Sequence, residues 1–265
     1  MAASSASLAV IIWLILAAVA VAVLIWATLI ERNAYVIRKE SLRILPRGSK
    51  PIKVLHIGDI HLAPWQKRKA KFVHSLGALD IDLVVNTGDN LGHKNAIGPA
   101  LTSLAPLLEK PGVFVNGSND YYAPVLRNPL AYLRKPSERG DGEQLDTARL
   151  VGGFRSAGWL NLNNRDGQIV INGTALGFIG VDDAHDDLDD ISGLKAQSSR
   201  LAGCSVIIGV THAPYLRVLE AMTNASASVV FAGHTHGGQV CVPGYGALTT
   251  NCDLPTKNAK GVSEW

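Results

Sequence analysis

The stretch VVFAGHTHGGQV, residues 229 to 240, sets two histidines one residue apart among glycines, directly after an apolar run. Ser228 to Ala232 reads as a buried strand, and the glycines that follow let the chain turn where the strand stops. Successive side chains on an extended segment point to opposite faces, so His234 and His236 share a site only if the backbone bends, as Gly233, Gly237 and Gly238 permit. Imidazole is the commonest metal ligand, and two delivered together at a strand end suit a pair of adjacent ions. The rest of the chain decides whether they are ligands or ordinary loop histidines.

Working outward, the same design recurs. IKVLHIGDIH ends an apolar strand in carboxylate and imidazole, IDLVVNTGDN ends another in Asp and Asn, PGVFVNGSND a third in Ser, Asn and Asp, and SVIIGVTHAP carries His212 to a fourth strand end. Gln66 to Leu79 and Ala96 to Lys110 have helical length and spacing between them. Strands alternating with helices predict an α/β layered domain whose reactive residues collect at strand ends. GQIVINGTALGFIGVDD reads as a hairpin turned at Asn172-Gly173. Tyr121 to Thr147, rich in Pro, Arg and Gly, reads as an inserted loop or cap near the site.

The strand-end residues are Asp59, His61, Asp89, Asn90, Asn119, Asp120, His212, His234 and His236. Alone, each is an ordinary turn or cap residue. Together they form a donor set of carboxylates and imidazoles suited to Mn, Fe or Zn, and a carboxylate between two ions can bridge them.

Leu8 to Ile30 is an uncharged apolar run of 23 residues in a chain of 265, long enough to cross the hydrocarbon layer as a helix. Its leader MAASSAS has no basic residue and the run is longer than a signal peptide's core, so an uncleaved anchor is expected. The flank Glu31 to Lys53 holds Arg32, Arg38, Lys39, Arg43, Arg47, Lys50 and Lys53 against Glu31 and Glu40, a net +5. Residues 1 to 30 carry no charged side chain, so of the chain's +3 the remainder, 54 to 265, carries −2. The basicity is local to the membrane exit. It predicts contact with anionic lipid, a single-pass protein of the cell membrane with its catalytic domain on the cytoplasmic side, and no nucleic-acid partner. Cys204, Cys241 and Cys252 have neither zinc-site spacing nor an even count. Cys204 reads as a core residue, and Cys241 and Cys252 could pair only in an exported domain.

Five of these segments, taken in order, resemble the calcineurin-like metallophosphoesterases, in a bacterial membrane-associated branch. Asp59-Ile60-His61 is similar to the family's D-x-H motif, Gly88-Asp89 to G-D, Gly117-Ser118-Asn119-Asp120 to G-N-H-[DE], His212 to the single-histidine block, and Gly233-His234-Thr235-His236 to G-H-x-H. The resemblance implies a two-sheet α/β sandwich flanked by helices. It also implies two divalent or trivalent ions (Mn, Fe or Zn), with Asp59, His61 and His236 holding one, His212 and His234 the other, and Asp89 bridging. Asn119 would complete the metal set, and Asn119 with Asp120 would form the catalytic corner. The implied activity is hydrolysis of a phosphoester or pyrophosphate bond by a metal-activated hydroxide, with a phospholipid or lipid-linked diphosphate the first expected substrate. A soluble phosphodiester or nucleotide, or a silent metal-binding scaffold, is the alternative.

Two departures stand out. Ser118 and Asn119 occupy the places of the family's Asn ligand and its proton-donating His. Either Ser118 ligates weakly, or the loop shifts so that Asn119 takes the metal position, and Asn cannot act as a general acid. The expected organisation is an anchor at 1–30, a basic linker at 31–52 and a catalytic domain at 53–265, truncated at its C-terminal end.

Overall fold

In the computed structural model, residues 2–125, 142–238, 241–242 and 244–265 are described. Most of the inserted segment read between Tyr121 and Thr147 lies outside them. The chain forms two compact units, Met1–Lys39 and Glu40–Trp265.

The first unit is helix α1, Ala2–Ile25, continued by a π-helical turn at Trp26–Ile30 and a 3-10 turn at Glu31–Asn33. From Leu8 to Asn33 it is long and apolar enough to cross a membrane, with a mean hydropathy of 3.2 over its most apolar 18-residue window.

The second unit builds on strands that pair in the order they are made. β1 (Val54–Ile57), β2 (Leu83–Asn86), β3 (Gly112–Phe114) and β4 (Leu160–Asn161) form one sheet in that order, every pairing parallel. Helices α2 (Lys67–Ser75), α3 (Ile97–Leu108) and α5 (Thr147–Ser156) lie between these strands in sequence, with a short α4 (Ser118–Tyr121) directly after β3. The second sheet runs β5 (Asp166–Ile171), β6 (Thr174–Gly180), β7 (Val206–Thr211), β8 (Val229–Ala232), with α6 (Leu194–Arg200) and α7 (Leu216–Asn224) in the crossovers. β5 and β6 are antiparallel, and the rest of that sheet is parallel. Asn172 and Gly173 turn that hairpin with φ of 52° and 83°, the two left-handed residues that a tight two-residue turn requires.

Side-chain alternation sets the layers. Leu83 and Val85 of β2 pack with Leu176, Phe178, Val206, Ile208 and Val210 in a core between the sheets. Val84, one residue out of phase, packs on the other face with Leu104, Leu107, Leu150 and Phe154 of α3 and α5. Ile179 and Val181 meet Leu194, Val218 and Met222 of α6 and α7. The result is a helix–sheet–sheet–helix sandwich, the two-sheet α/β architecture expected from the sequence.

Ile44, Leu45 and Ile52, in the stretch read as linker, pack against the inter-sheet core. An apolar side chain gains by leaving water wherever an open face is within reach. Cys204 is only partly covered, at the rim of the third cluster, and all three cysteines are free thiols.

Candidate metal centre

Parallel strands deliver their C-terminal ends to one edge, and the loops leaving β1, β2, β3, β7 and β8 meet there. The first two are joined by backbone hydrogen bonds: Asp59 N–H donates to the Gly88 carbonyl, His61 to Asp89 and Leu62 to Asn90, each at 2.9 Å, and Gly92 donates to Leu62 at 2.8 Å. The β3 loop is tied in by Asp120. Its buried carboxylate accepts from the Asn90 N–H at 2.8 Å, the Asn90 side-chain amide at 3.1 Å and the Gly117 N–H at 3.2 Å. The last loop closes on the first, with His234 N–H donating to both oxygens of Asp59, at 3.0 and 2.8 Å.

Asp59, His61, Asp89, His234 and His236 have φ of 50°, 41°, 53°, 68° and 50°. Residues of these types enter the left-handed region infrequently, at a cost of about 1–3 kcal/mol each, and such strain gathers at working sites. The sequence placed the bend of the GHTHGG segment partly at Gly233. The left-handed turn is instead made at His234, His236, Gly237 and Gly238. Gly233 is needed because a Cβ there would lie 2.9 Å from Asp59 Oδ2 and 3.0 Å from Thr87 Oγ1.

Two groups of donors result: Asp59, His61 and His236, and Asp59, Asp89 and His212, each with its ligand atoms within 4.8 Å of one another. His61 Nε2 and His236 Nε2 lie 3.1 Å apart, and two ligand nitrogens about 2.1 Å from one ion at near-right to tetrahedral angles are separated by about 3.0–3.4 Å. Asp89 Oδ2 lies between the groups, 3.3 Å from His61 Nε2 and 3.5 Å from His212 Nε2. Asp59 belongs to both.

His212 and His234 are aimed by carbonyls. His212 Nδ1 is 2.8 Å from the Thr87 carbonyl, and His234 Nε2 is 3.2 Å from that of Asn251, the shorter of its two contacts to that residue. A carbonyl only accepts, so His212 Nδ1 carries a proton and its Nε2 is the ring atom turned to the site. His212 Nε2 and His234 Nδ1 face one another at 3.4 Å. Two ring nitrogens so placed are matched by a cation between them, a proton or a metal ion. The residues present therefore fit a metal ion.

The electrostatics agree. Burial alone would raise the Asp89 carboxyl, but the His212 and His61 imidazoles and hydrogen bonds from Asn119 hold it below the ordinary carboxylate range. Burial lowers His61, His234 and His236, favouring the neutral, ligating form. It would lower His212 too, but Asp89, Asp59 and Asp183 raise it. Burial, and then the charge of Asp89, push the Asp120 carboxyl up to about 7.

These groups border a cavity of about 420 Å³ lined by Asp59, His61, Asp89, Ser118, Asn119, His234 and His236 among others. His212 is wholly buried beneath it. Of the two residues replacing the family's Asn-His, it is Asn119 that reaches the centre: its N–H donates to Asp89 Oδ1 and its side-chain amide to Asp89 Oδ2, both at 2.8 Å. Asp120 is fully buried and does not line the cavity. Lys69, Asn251 and His185 line it without having been singled out in the sequence. His185 Nδ1 lies 3.1 Å from the Tyr215 hydroxyl, and its ring centroid is 4.7 Å from that of His234.

The two-sheet sandwich thus carries at one strand edge carboxylates and imidazoles that could hold metal ions. Residues 52–238 match the calcineurin-like phosphoesterases, and the chain belongs to that family, whose activity is phosphoester hydrolysis. It is 26% identical over 200 residues to an uncharacterized metallophosphoesterase, YkoQ, of Bacillus subtilis, covering 73% of this chain and 64% of that protein. It is 24% identical over 205 residues to a Bos taurus transmembrane protein with a metallophosphoesterase domain, covering 74% and 43%. A third relative, an uncharacterized metallophosphoesterase of Aquifex aeolicus, is 26% identical over 229 residues, covering 82% and 76%. The chain thus spans just under two thirds of the Bacillus relative and under half of the bovine one.

Proposed function

We propose that the chain is a single-pass membrane phosphoesterase with two metal ions, its catalytic domain on the cytoplasmic side, acting on a phospholipid or lipid-linked diphosphate. The observation that carries the reading is the pair of donor groups that share Asp59, one with His61 and His236 and the other with Asp89 and His212, with Asp89 Oδ2 within 3.5 Å of a histidine from each. His61 and His236 with Asp59 would hold one ion, and His212 and His234 the other, with Asp89 between them. Bound there, two cations supply Lewis acidity to the phosphate oxygens and acidify water. The remaining work falls to the chain. Asn119 orients the Asp89 carboxylate, Asp120 pins the loop that carries Asn119, Thr87 fixes the tautomer of His212, and Asn251 holds the His234 ring. Burial favours the neutral form of His61, His234 and His236, while the carboxylates around His212 favour its charged form until a cation replaces the proton.

The lipid assignment is supported by the apolar span and by the seven basic residues that follow it, which would hold the site near anionic head groups. The organisation we propose is an anchor at 1–30, a basic segment at 31–52 and a catalytic domain from residue 53. The replacement of the family's His by Asn119 favours a second reading, a silent metal-binding scaffold. Turnover of an aryl phosphodiester by purified, manganese-loaded protein separates them. Hydrolysis above the rate of an Asp89→Ala variant is expected, and metal binding without hydrolysis would leave the scaffold.

A further inference from the structure

The segment Trp65–Lys71 borders the site and has a role that hydrolysis does not call on. Trp65 is 66% exposed, with an edge contact to the His93 ring at 5.0 Å. Behind it α2 divides cleanly. Ala70, Phe72, Val73 and Leu76 pack into the core, while Lys67, Arg68 and Lys71 are exposed. Lys69 turns toward the site, where it lines the cavity and donates to the Ile60 carbonyl at 2.8 Å. From Leu62 to Leu79 there is no acidic residue, although the domain as a whole is slightly acidic. The hairpin of β9 (Cys241–Val242) and β10 (Gly246–Ala247) follows His236 in sequence, and its Tyr245 is 78% exposed.

An exposed tryptophan costs free energy in water and gains it at the head-group level of a bilayer, where its amphipathic ring sits. Three exposed cations next to it are matched by an anionic leaflet, each favouring the docked state about fivefold and the three together about a hundredfold. A nucleic-acid footprint would spread basicity over the domain, which carries a net −2, and a protein partner would not account for an apolar span in the same chain. We propose that the Trp65–Lys71 edge docks the mouth of the site onto an anionic bilayer, with Trp65 in the interface. The inference rests on the membrane anchorage proposed above but not on the chemistry of the site.

The test reads Trp65 directly. Of the five tryptophans, W13F, W26F and W265F remove all but Trp65 and the buried Trp159. The full chain carrying these changes is reconstituted into vesicles of phosphatidylcholine with phosphatidylglycerol, with or without brominated acyl chains, which quench fluorophores at the interface. Quenching in brominated vesicles that disappears with W65F, weakens in high salt as charges are screened, and falls with K67E/R68E/K71E supports docking. Equal emission in brominated and plain vesicles overturns it, as does quenching that is the same in electroneutral vesicles and indifferent to salt. Trp65 emission that ignores brominated lipid but shifts with protein concentration in detergent would assign the patch to a second copy of the chain. The salt arm needs no charge reversal, so a misfolded triple variant leaves the proposal open to refutation. Vesicle flotation reports anchorage and aryl phosphodiester turnover reports the chemistry, so each can fail separately from docking.

Discussion

Gly117→Ala is a small change that addresses the centre without addressing the fold. Gly117 precedes α4 with φ −113°, which alanine adopts freely, so the backbone has no objection. The methyl group does. Its carbon would lie 2.3 Å from Asp89 Oδ1 and 2.7 Å from both Nδ1 and Cε1 of His212, where real contacts stay above 3.0 Å. Asp89 must therefore retreat by about 0.7 Å, against a tolerance of about 0.2 Å in metal–ligand distances. The retreat also breaks the 2.8 Å hydrogen bond from the Asn119 N–H. Overpacking of a close-packed interior costs about 1–3 kcal/mol, a fall of a few degrees or more in Tm for a domain of this size. The expected outcome is a folded protein with lower Tm, metal content well below wild type by elemental analysis, and turnover of an aryl phosphodiester reduced at least as far as the metal. Wild-type metal content and turnover in a variant of normal expression would refute the placement of Asp89 against Gly117, and with it the geometry of the centre.

Phe154→Ala, by contrast, should strike stability alone. Phe154 is fully buried with ring centroids 5.0 Å from Phe114 and 5.4 Å from Trp159, and denaturant unfolding should show a loss of about 3–5 kcal/mol with metal content per folded molecule unchanged. Ser118→Asn with Asn119→His restores the family pattern. It should raise turnover of an alkyl phosphodiester by up to about 10²- to 10⁴-fold and of a nitrophenyl ester far less, because proton donation matters little to an acidic leaving group. Equal gains would point to metal binding instead. A cysteine introduced in the catalytic domain should resist a membrane-impermeant thiol reagent on intact cells, as basic residues following the span predict, and its labelling would reverse the orientation.

The layered fold was readable because its signals are local. Apolar runs ending in polar turns mark β1, β2, β3, β7 and β8, and Asn172-Gly173 marks its own turn. The strand-end donors that gather at one edge, Asp59, His61, Asp89, His212, His234 and His236, were also all visible, since parallel topology converts strand order into shared location. What could not be read has no local signal. His185 sits in VDDAHDDLDD, which reads as a solvated acidic loop, and only its packing against Tyr215 and His234 brings it to the cavity. Lys69 looks like one of four basic residues on a helix. Asp120, next to Asn119 in sequence, was expected at the reaction centre, but its carboxylate is consumed by the amides of Asn90 and Gly117. The fixing of His212 and His234 by the carbonyls of Thr87 and Asn251 depends on residues distant in the chain.

The closure of the last loop on the first has a consequence for when the site comes into being. The bonds from His234 to Asp59 join residues 175 apart, so the span and every strand of both sheets of the sandwich are synthesised before the last two donors, His234 and His236, exist. Until β8 docks, Asp59 and Asp89 face each other with only half their cationic or imidazole company. Ion capture is therefore a late event in the life of the nascent chain, and the amide proton of His234 should gain protection from exchange only when β8 docks, after those of Asp59 and His61, which are held by carbonyls of the β2 loop.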